Sequence, residues 1–301
     1  MKNSNEISRY IKRLPLLMLV IFMISCSNDE PSDPEDEDSE PIELPTGNFP
    51  FDVLGLDDWK ISLPRSNDGD NIADDVYITA SNNDVSSDGS LTQYEDEFFY
   101  VSDNGVTFEC PAIFNLPKTS AGTSNTRTEL REMPNNDNED GWSGSGSTVR
   151  ALEFSVRVVQ TSSTRKVAFA QIHDYQQSNW DDLIRVQIES DDPNAQVGDF
   201  GRIYIMGDMA EGLPSENVPT QPSSERTIID NYRLGDWMDI RVTYNNNTIR
   251  IYVDGNEVQE YTGANSASNY FKAGAYNQSM NSNSSGKSIV EFRSLSVTEN
   301  F

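Results

Sequence analysis

A chain of 301 residues carrying a net charge of −27 has room for one large β domain or two smaller ones, with a sizeable core. It is too acidic for nucleic acid to be its main partner, because phosphate binding needs a basic surface. With one histidine and two cysteines, it shows no transition-metal site and no expected disulfide, while a structural calcium held by scattered carboxylates stays open.

Residues 1–25 read as an export signal. Lys2, Arg9, Lys12 and Arg13 precede an apolar run from Leu14 to Ile24, which is shorter than the roughly 20 residues a membrane-spanning helix needs. The run ends Met-Ile-Ser-Cys. A small residue just before that cysteine resembles a bacterial lipobox, which makes Cys26 the acylated first residue of the mature chain and leaves Cys110 without a disulfide partner. Residues 26–47 are acidic, rich in proline and poor in large apolar residues; such a segment cannot bury enough surface to fold and reads as a disordered tether. An acidic stretch directly after a lipidated cysteine also resembles the surface-export signal of Bacteroidetes lipoproteins. The expected location is therefore the cell envelope, outer membrane and surface-exposed, with membrane contact only through the lipid.

The globular domain is expected over 48–301, and its pattern is β. In LEFSVRVV (152–159), Leu152, Phe154, Val156 and Val158 alternate onto one face. LIRVQIE (183–189), GRIYIMG (201–207), WMDIRVTY (237–244) and IVEFRSLSV (289–297) behave alike. Asp254-Gly255 between two apolar runs predicts a hairpin within 248–261. YEDEF (94–98) reads as a loop or strand edge. Long turn-rich segments at 132–150 and 208–232 are candidates for loops closing the ends of a cleft. Many short strands without helical periodicity predict an all-β fold, a jelly roll sandwich of two curved antiparallel sheets.

Three strands have unusually polar faces. In RTELRE (127–132), Arg127, Glu129 and Arg131 share a face, and Glu129 is placed to fix both guanidiniums while they grip a ligand carboxylate. The bland alternative is a surface ion-pair ladder. In KVAFAQIHD (166–174), strict alternation puts Val167, Phe169, Gln171 and His173 on one face and Ala168, Ala170 and Ile172 on the other. His173 is the natural base near neutrality, although a lone histidine is more often a surface or packed residue. In NYFKAGAYNQ (269–278), Lys272, Gly274, Tyr276 and Gln278 share a face opposite Phe271, Ala273, Ala275 and Asn277. Together these faces suit a sugar chain bearing carboxylates.

The segments R-T-E-L-R, Q-I-H and Y-F-K-A-G-A-Y-N-Q, in this order, resemble the signature segments of alginate lyases of polysaccharide lyase family seven, and Trp59 to Pro64 resembles the opening strand of that domain. The resemblance spans about 59–297. It implies a jelly roll of concanavalin-like build with a substrate groove, and β-elimination at the 4-linked uronic acids of alginate, giving unsaturated oligo-uronates. It implies that Arg127 and Gln171 neutralise the sugar carboxylate, that His173 is or assists the base, and that Tyr276 protonates the departing oxygen and, for one of the two epimers, can also take the C5 proton. Glu129, Arg131, Lys272, Asn277 and Gln278 match positions that shape the cleft or bind sugar. No metal or organic cofactor is implied. Ile172 in Q-I-H goes with guluronate or mixed blocks in the family. A monomer is expected. The competing readings are a lyase for another polyuronate such as glucuronan, and a non-catalytic uronan-binding module on the same fold. A binder has no need of a histidine and a tyrosine beside the arginines.

Overall fold

The computed structural model describes residues 47–300 apart from 68, 80–88, 119–122, 135–138 and 177–178. The signal, the lipid site at Cys26 and nearly all of the tether lie outside the described residues. The chain divides into Met1–Ile42 and Glu43–Phe301, and the second unit is the one described below.

Alternating apolar residues become strands that bury one face, and in this chain they do so in two antiparallel sheets. The first contains β1 (Trp59–Ser62), β2 (Asp75–Val76), β5 (Arg127–Glu132), β7 (Lys166–Asp174), β8 (Asp182–Ser190), β9 (Phe200–Met206), β10 (Thr227–Arg233) and β14 (Asn269–Asn277), in the spatial order β10-β9-β8-β7-β14-β5-β1-β2. The second contains β3 (Phe99–Ser102), β4 (Gly105–Pro111), β6 (Val149–Gln160), β11 (Met238–Asn245), β12 (Thr248–Val253), β13 (Asn256–Thr262) and β15 (Lys287–Asn300), in the order β13-β12-β11-β6-β15-β4-β3. Non-consecutive neighbours in both sheets give the jelly roll expected from the strand pattern. Asp254 and Gly255 both take positive φ, 48° and 78°, and close the β12–β13 hairpin as the dipeptide predicts.

The sheets meet through aromatic rings. Phe99 and Phe108 (centroids 5.0 Å apart), Phe108 and Phe292 (5.2 Å), Phe292 and Phe154 (5.6 Å) and Phe154 and Phe169 (6.4 Å) form a continuous chain across the interior. Each such ring contributes about 1.5–3 kcal/mol by burial, and offset or edge-on pairing adds roughly 0.5–1.5 kcal/mol per pair. Leu152, Phe154, Val156 and Val158 all face this core, as the alternation requires.

Two expectations are corrected. Val167 and Phe169 do not share a face with Gln171 and His173; they are fully buried in the core beside Ala170 and Ile172. The reason is a β-bulge: β7 pairs Ala168 with Gln187 but Ala170 with Val186 on β8, so Phe169 is an extra residue and the side-chain parity inverts there. The segment 208–232 is not loop throughout, because its final part enters the edge strand β10. YEDEF does form the turn before β3, where the Asp96 carboxylate accepts from the backbone N–H groups of Phe98 and Phe99 at 2.8 and 2.9 Å.

Candidate active site

Five central strands of the first sheet pair so that their outward side chains line up in rows. Lys60 on β1 opposes Arg131 on β5, Arg131 opposes Lys272 on β14, Lys272 opposes Gln171 on β7, and Gln171 opposes Arg185 on β8. A parallel row joins Arg127 to Tyr276. Between them Glu129 opposes Gly274, whose φ is 144° and where an added Cβ would sit 2.5 Å from the Thr128 carbonyl oxygen. Glycine is required at this position by the backbone and by the closeness of the neighbouring strand. Unbroken pairing with β5 sets Tyr276 opposite Arg127, while a register shift between Ala273 and Tyr276 in the β14–β7 ladder places Tyr276 opposite Ala168. The result is a groove of about 760 Å³ whose lining includes Arg127, Glu129, Arg131, Gln171, His173, Lys272 and Tyr276.

Glu129 is the hub. It is 2% exposed and accepts from Arg127 Nη1 at 3.0 Å, from the Gln171 side-chain amide, and from Lys272 Nζ at 3.4 Å. The expectation that it fixes both arginines holds for Arg127 only. Arg131 is anchored instead by the carbonyl oxygens of Glu132 and Asp140, at 3.0 and 3.4 Å, and stacks 4.0 Å over the ring of Tyr270. The Arg127 guanidinium lies 3.9 Å over the ring of Tyr276, whose hydroxyl is 3.2 Å from Thr123 Oγ1. Three cations crowd one carboxylate in a desolvated space. Burial, joined by the charge of Arg127, pulls Lys272 down to about 8.

His173 packs its ring on Tyr270, centroids 5.3 Å apart and 21° from parallel. Its Nδ1 is 3.1 Å from the carbonyl oxygen of Asp174. A carbonyl only accepts, so Nδ1 carries the proton and Nε2 keeps its lone pair. Burial, with Lys272, Arg127 and Arg131 nearby, pushes its pKa down to about 3. The imidazole is therefore neutral near pH 7, with the Nε2 lone pair unprotonated.

Two anticipated sugar contacts fall elsewhere. Asn277 faces the interior: its amide nitrogen donates to the carbonyl oxygen of Cys110 at 3.0 Å and to Thr126 Oγ1 at 3.1 Å, and its oxygen accepts from Ser288 Oγ at 2.7 Å. It ties the two sheets together, as its place opposite Tyr276 and Lys272 in the alternation implies. Gln278 lies past the end of β14, donates its amide to the Tyr276 carbonyl oxygen at 3.3 Å and is not among the groove-lining residues. Cys110 is unpaired and buried. Among the described residues, no group of three or more His, Cys, Asp or Glu side chains is placed to hold a metal ion.

Sequence reasoning missed Lys60, Tyr270, Asp181 and Arg185, which also line the groove. Tyr270 shares the parity of Lys272 and could have been found by extending that face by one step. Lys60 becomes visible only through strand pairing. Burial alone would lower the Lys60 pKa, but the charges of Asp75, Tyr77 and Glu139 outweigh it and raise it.

A family model described as "Alginate lyase" matches residues 52–299. The fold is similar to the marine family 7 alginate lyase of Zobellia galactanivorans, at 28% identity and TM-score 0.66 over 84% of this chain and all of that one. It is similar to another alginate lyase of polysaccharide lyase family 7, at 25% identity and TM-score 0.63 over 85% of this chain and all of that one. The alginate lyase of Corynebacterium sp. shares the fold at 24% identity and TM-score 0.63, over 84% of this chain and 98% of that one. A search of curated proteins found no match.

Proposed function

We propose, for a chain that belongs to the alginate lyase family and is thus an alginate-degrading lyase, that it cleaves by β-elimination with Arg127, Gln171, His173 and Tyr276 as the reacting set. The observation that carries this reading is the meeting of these four side chains in one groove around the buried Glu129. The uronate carboxylate is bound by Arg127 and Gln171, where positive charge and an amide donor stabilise the enolate-like charge that grows as the C5 proton leaves. Glu129 holds both groups in place by accepting from each. His173 Nε2, the free lone pair, accepts the C5 proton. The phenol of Tyr276 donates its proton to the O4 oxygen as the C4–O4 bond breaks, leaving a C4–C5 double bond in the new terminal sugar. Each proton transfer of this kind is typically worth about 10²–10⁴-fold in rate. Arg131 and Lys272 bind the carboxylates of neighbouring sugars.

Guluronate and mixed blocks are the favoured substrates in this reading, on the strength of Ile172. That residue is fully buried behind the sheet, so it acts by setting the positions of its neighbours Gln171 and His173. The chain is exported by residues 1–25 and held at the outer membrane by a lipid on Cys26. A Cys26→Ser variant then moves from the membrane to the soluble fraction on cell fractionation, and retention in the membrane would end the lipoprotein reading.

The decisive assay follows ultraviolet absorbance while the protein acts separately on polyguluronate, polymannuronate and mixed blocks. A rise from the new conjugated double bond, fastest on guluronate-containing blocks and lost in His173→Ala, is expected. Binding of alginate without any rise would leave a uronan-binding protein instead.

A further inference from the structure

A buried base that takes a proton must also lose it. His173 has only 13% of its side chain exposed. One nitrogen is tied to the Asp174 carbonyl oxygen, which cannot accept a proton usefully, and one ring face is covered by Tyr270. The groups facing the imidazole offer few exits. From β5 come Arg127, Arg131 and Glu129, and from β14 come Lys272 and Tyr270. The cations repel an imidazolium, the Tyr270 phenol is held protonated by burial, and Glu129 is committed to Arg127, Gln171 and Lys272. On the β8 side, Asp182 is 8% exposed and pairs with Arg185 at 2.8 Å.

Asp181 differs from all of these. Its Oδ1 is 3.3 Å from His173 Nε2, and its side chain is 69% exposed. Its position is set by backbone ties: its carbonyl oxygen accepts from the Asp174 N–H at 2.8 Å, and its own N–H donates to Asp208 Oδ2 at 2.9 Å. A register shift in the β7–β8 ladder, which pairs Ile172 with Ile184 but His173 with Asp182, brings this turn up against the imidazole. One carboxylate oxygen thus meets the reactive nitrogen of the histidine while the group reaches water.

We propose that Asp181 is a proton-relay residue, taking the proton from His173 Nε2 and passing it to solvent. The inference rests on the reading of His173 as the base. In the step, the C5–H bond breaks and an Nε2–H bond forms; the electron pair moves into the C4–C5 double bond as the C4–O4 bond breaks and O4 takes the Tyr276 proton. The Nε2–H proton then moves to Asp181 Oδ1 and on to water, while the Tyr276 phenolate regains a proton from solvent. No other reactant is consumed.

Asp181→Asn and Asp181→Ala in the full chain test this. The side chain is exposed and its positioning ties are made by the backbone, so both variants keep the fold, which thermal unfolding checks. The expected result is a kcat lowered by at least about tenfold with KM within about twofold, and an altered pH profile of kcat. Added acetate restores turnover in Asp181→Ala in proportion to its concentration, and does nothing for the parent protein or for His173→Ala. An unchanged kcat, or a loss that acetate does not rescue and that leaves the pH profile unaltered, overturns the relay. Full turnover by His173→Ala would instead remove the base assignment itself, so the two failures are told apart by which variant shows them.

Discussion

The outer faces of the two sheets use the same residue types to opposite effect. On the second sheet each arginine meets its own carboxylate in partly or largely exposed positions: Arg241 with Glu153 at 2.8 Å, Arg250 with Glu260 at 2.8 Å, Arg150 with Glu299 at 2.6 Å. Such pairs are screened by water and contribute little. On the first sheet Arg127 and Lys272 share the single buried carboxylate of Glu129, and Arg131 rests on backbone carbonyl oxygens and an aromatic ring. The first arrangement is electrically closed and indifferent to ligands. In the second, Arg127, Arg131 and Lys272 have only Glu129 among them, while Lys60 and Arg185 in the same groove have carboxylates of their own, and a uronate carboxylate supplies what the central cluster lacks. Alternating charge along a strand is therefore no guide to a site; the ratio of cations to carboxylates under desolvation is.

The sharpest way to break this contrast is to remove reacting groups from the groove. His173→Ala, Tyr276→Phe and Arg127→Ala should each lower kcat by about 10²–10⁴-fold, with the melting temperature within a few degrees of the parent for the first two and lower for Arg127→Ala, which also breaks the buried pair with Glu129. If all three instead fail to fold, the groove is a structural network. Next in size is Glu129→Ala, which leaves buried cations facing one another. Breaking a buried charge set by removing one partner costs about 3–5 kcal/mol, so urea unfolding should show a loss of that order, together with a raised KM as Arg127 and Gln171 lose their anchor. Glu153→Ala on the other sheet is the control for this experiment.

Titration sharpens the comparison further. Lys272 is charged below about 8 and loses its charge above it, so affinity for alginate should fall through that pH, and Lys272→Arg should carry the fall to higher pH. His173 has a folded pKa of about 3 against about 6.5 for a free imidazole. Between those values the unfolded chain binds a proton that the folded one does not, so this group's contribution makes stability fall as pH drops from about 6.5 towards 3. By the same reasoning the acid limb of kcat/KM set by His173 should lie well below pH 6, whereas an unperturbed histidine would put it near 6.5. The smallest effect belongs to the second sheet: Arg241→Ala should change unfolding free energy by no more than about 1 kcal/mol and leave turnover on alginate untouched.

Period-two alternation by itself determined much of this protein. It located the main strands, the apolar side of β6, the Asp254-Gly255 hairpin and the polar face shared by Arg127, Glu129 and Arg131, because side-chain parity along a regular strand is a local property of the backbone. The same parity already placed Asn277 on the interior side. The tertiary structure decided what depends on neighbours. Bulges in the β7–β8 and β7–β14 ladders turned Val167 and Phe169 inward. Strand order brought Lys60 and Arg185 into one row with Arg131, Lys272 and Gln171, and a shifted turn set Asp181 against His173. The division of Glu129 among Arg127, Gln171 and Lys272 is of the same kind. A bulge is a mismatch between two strands and a shared charge is a contact among three, so neither can be read from one strand taken alone.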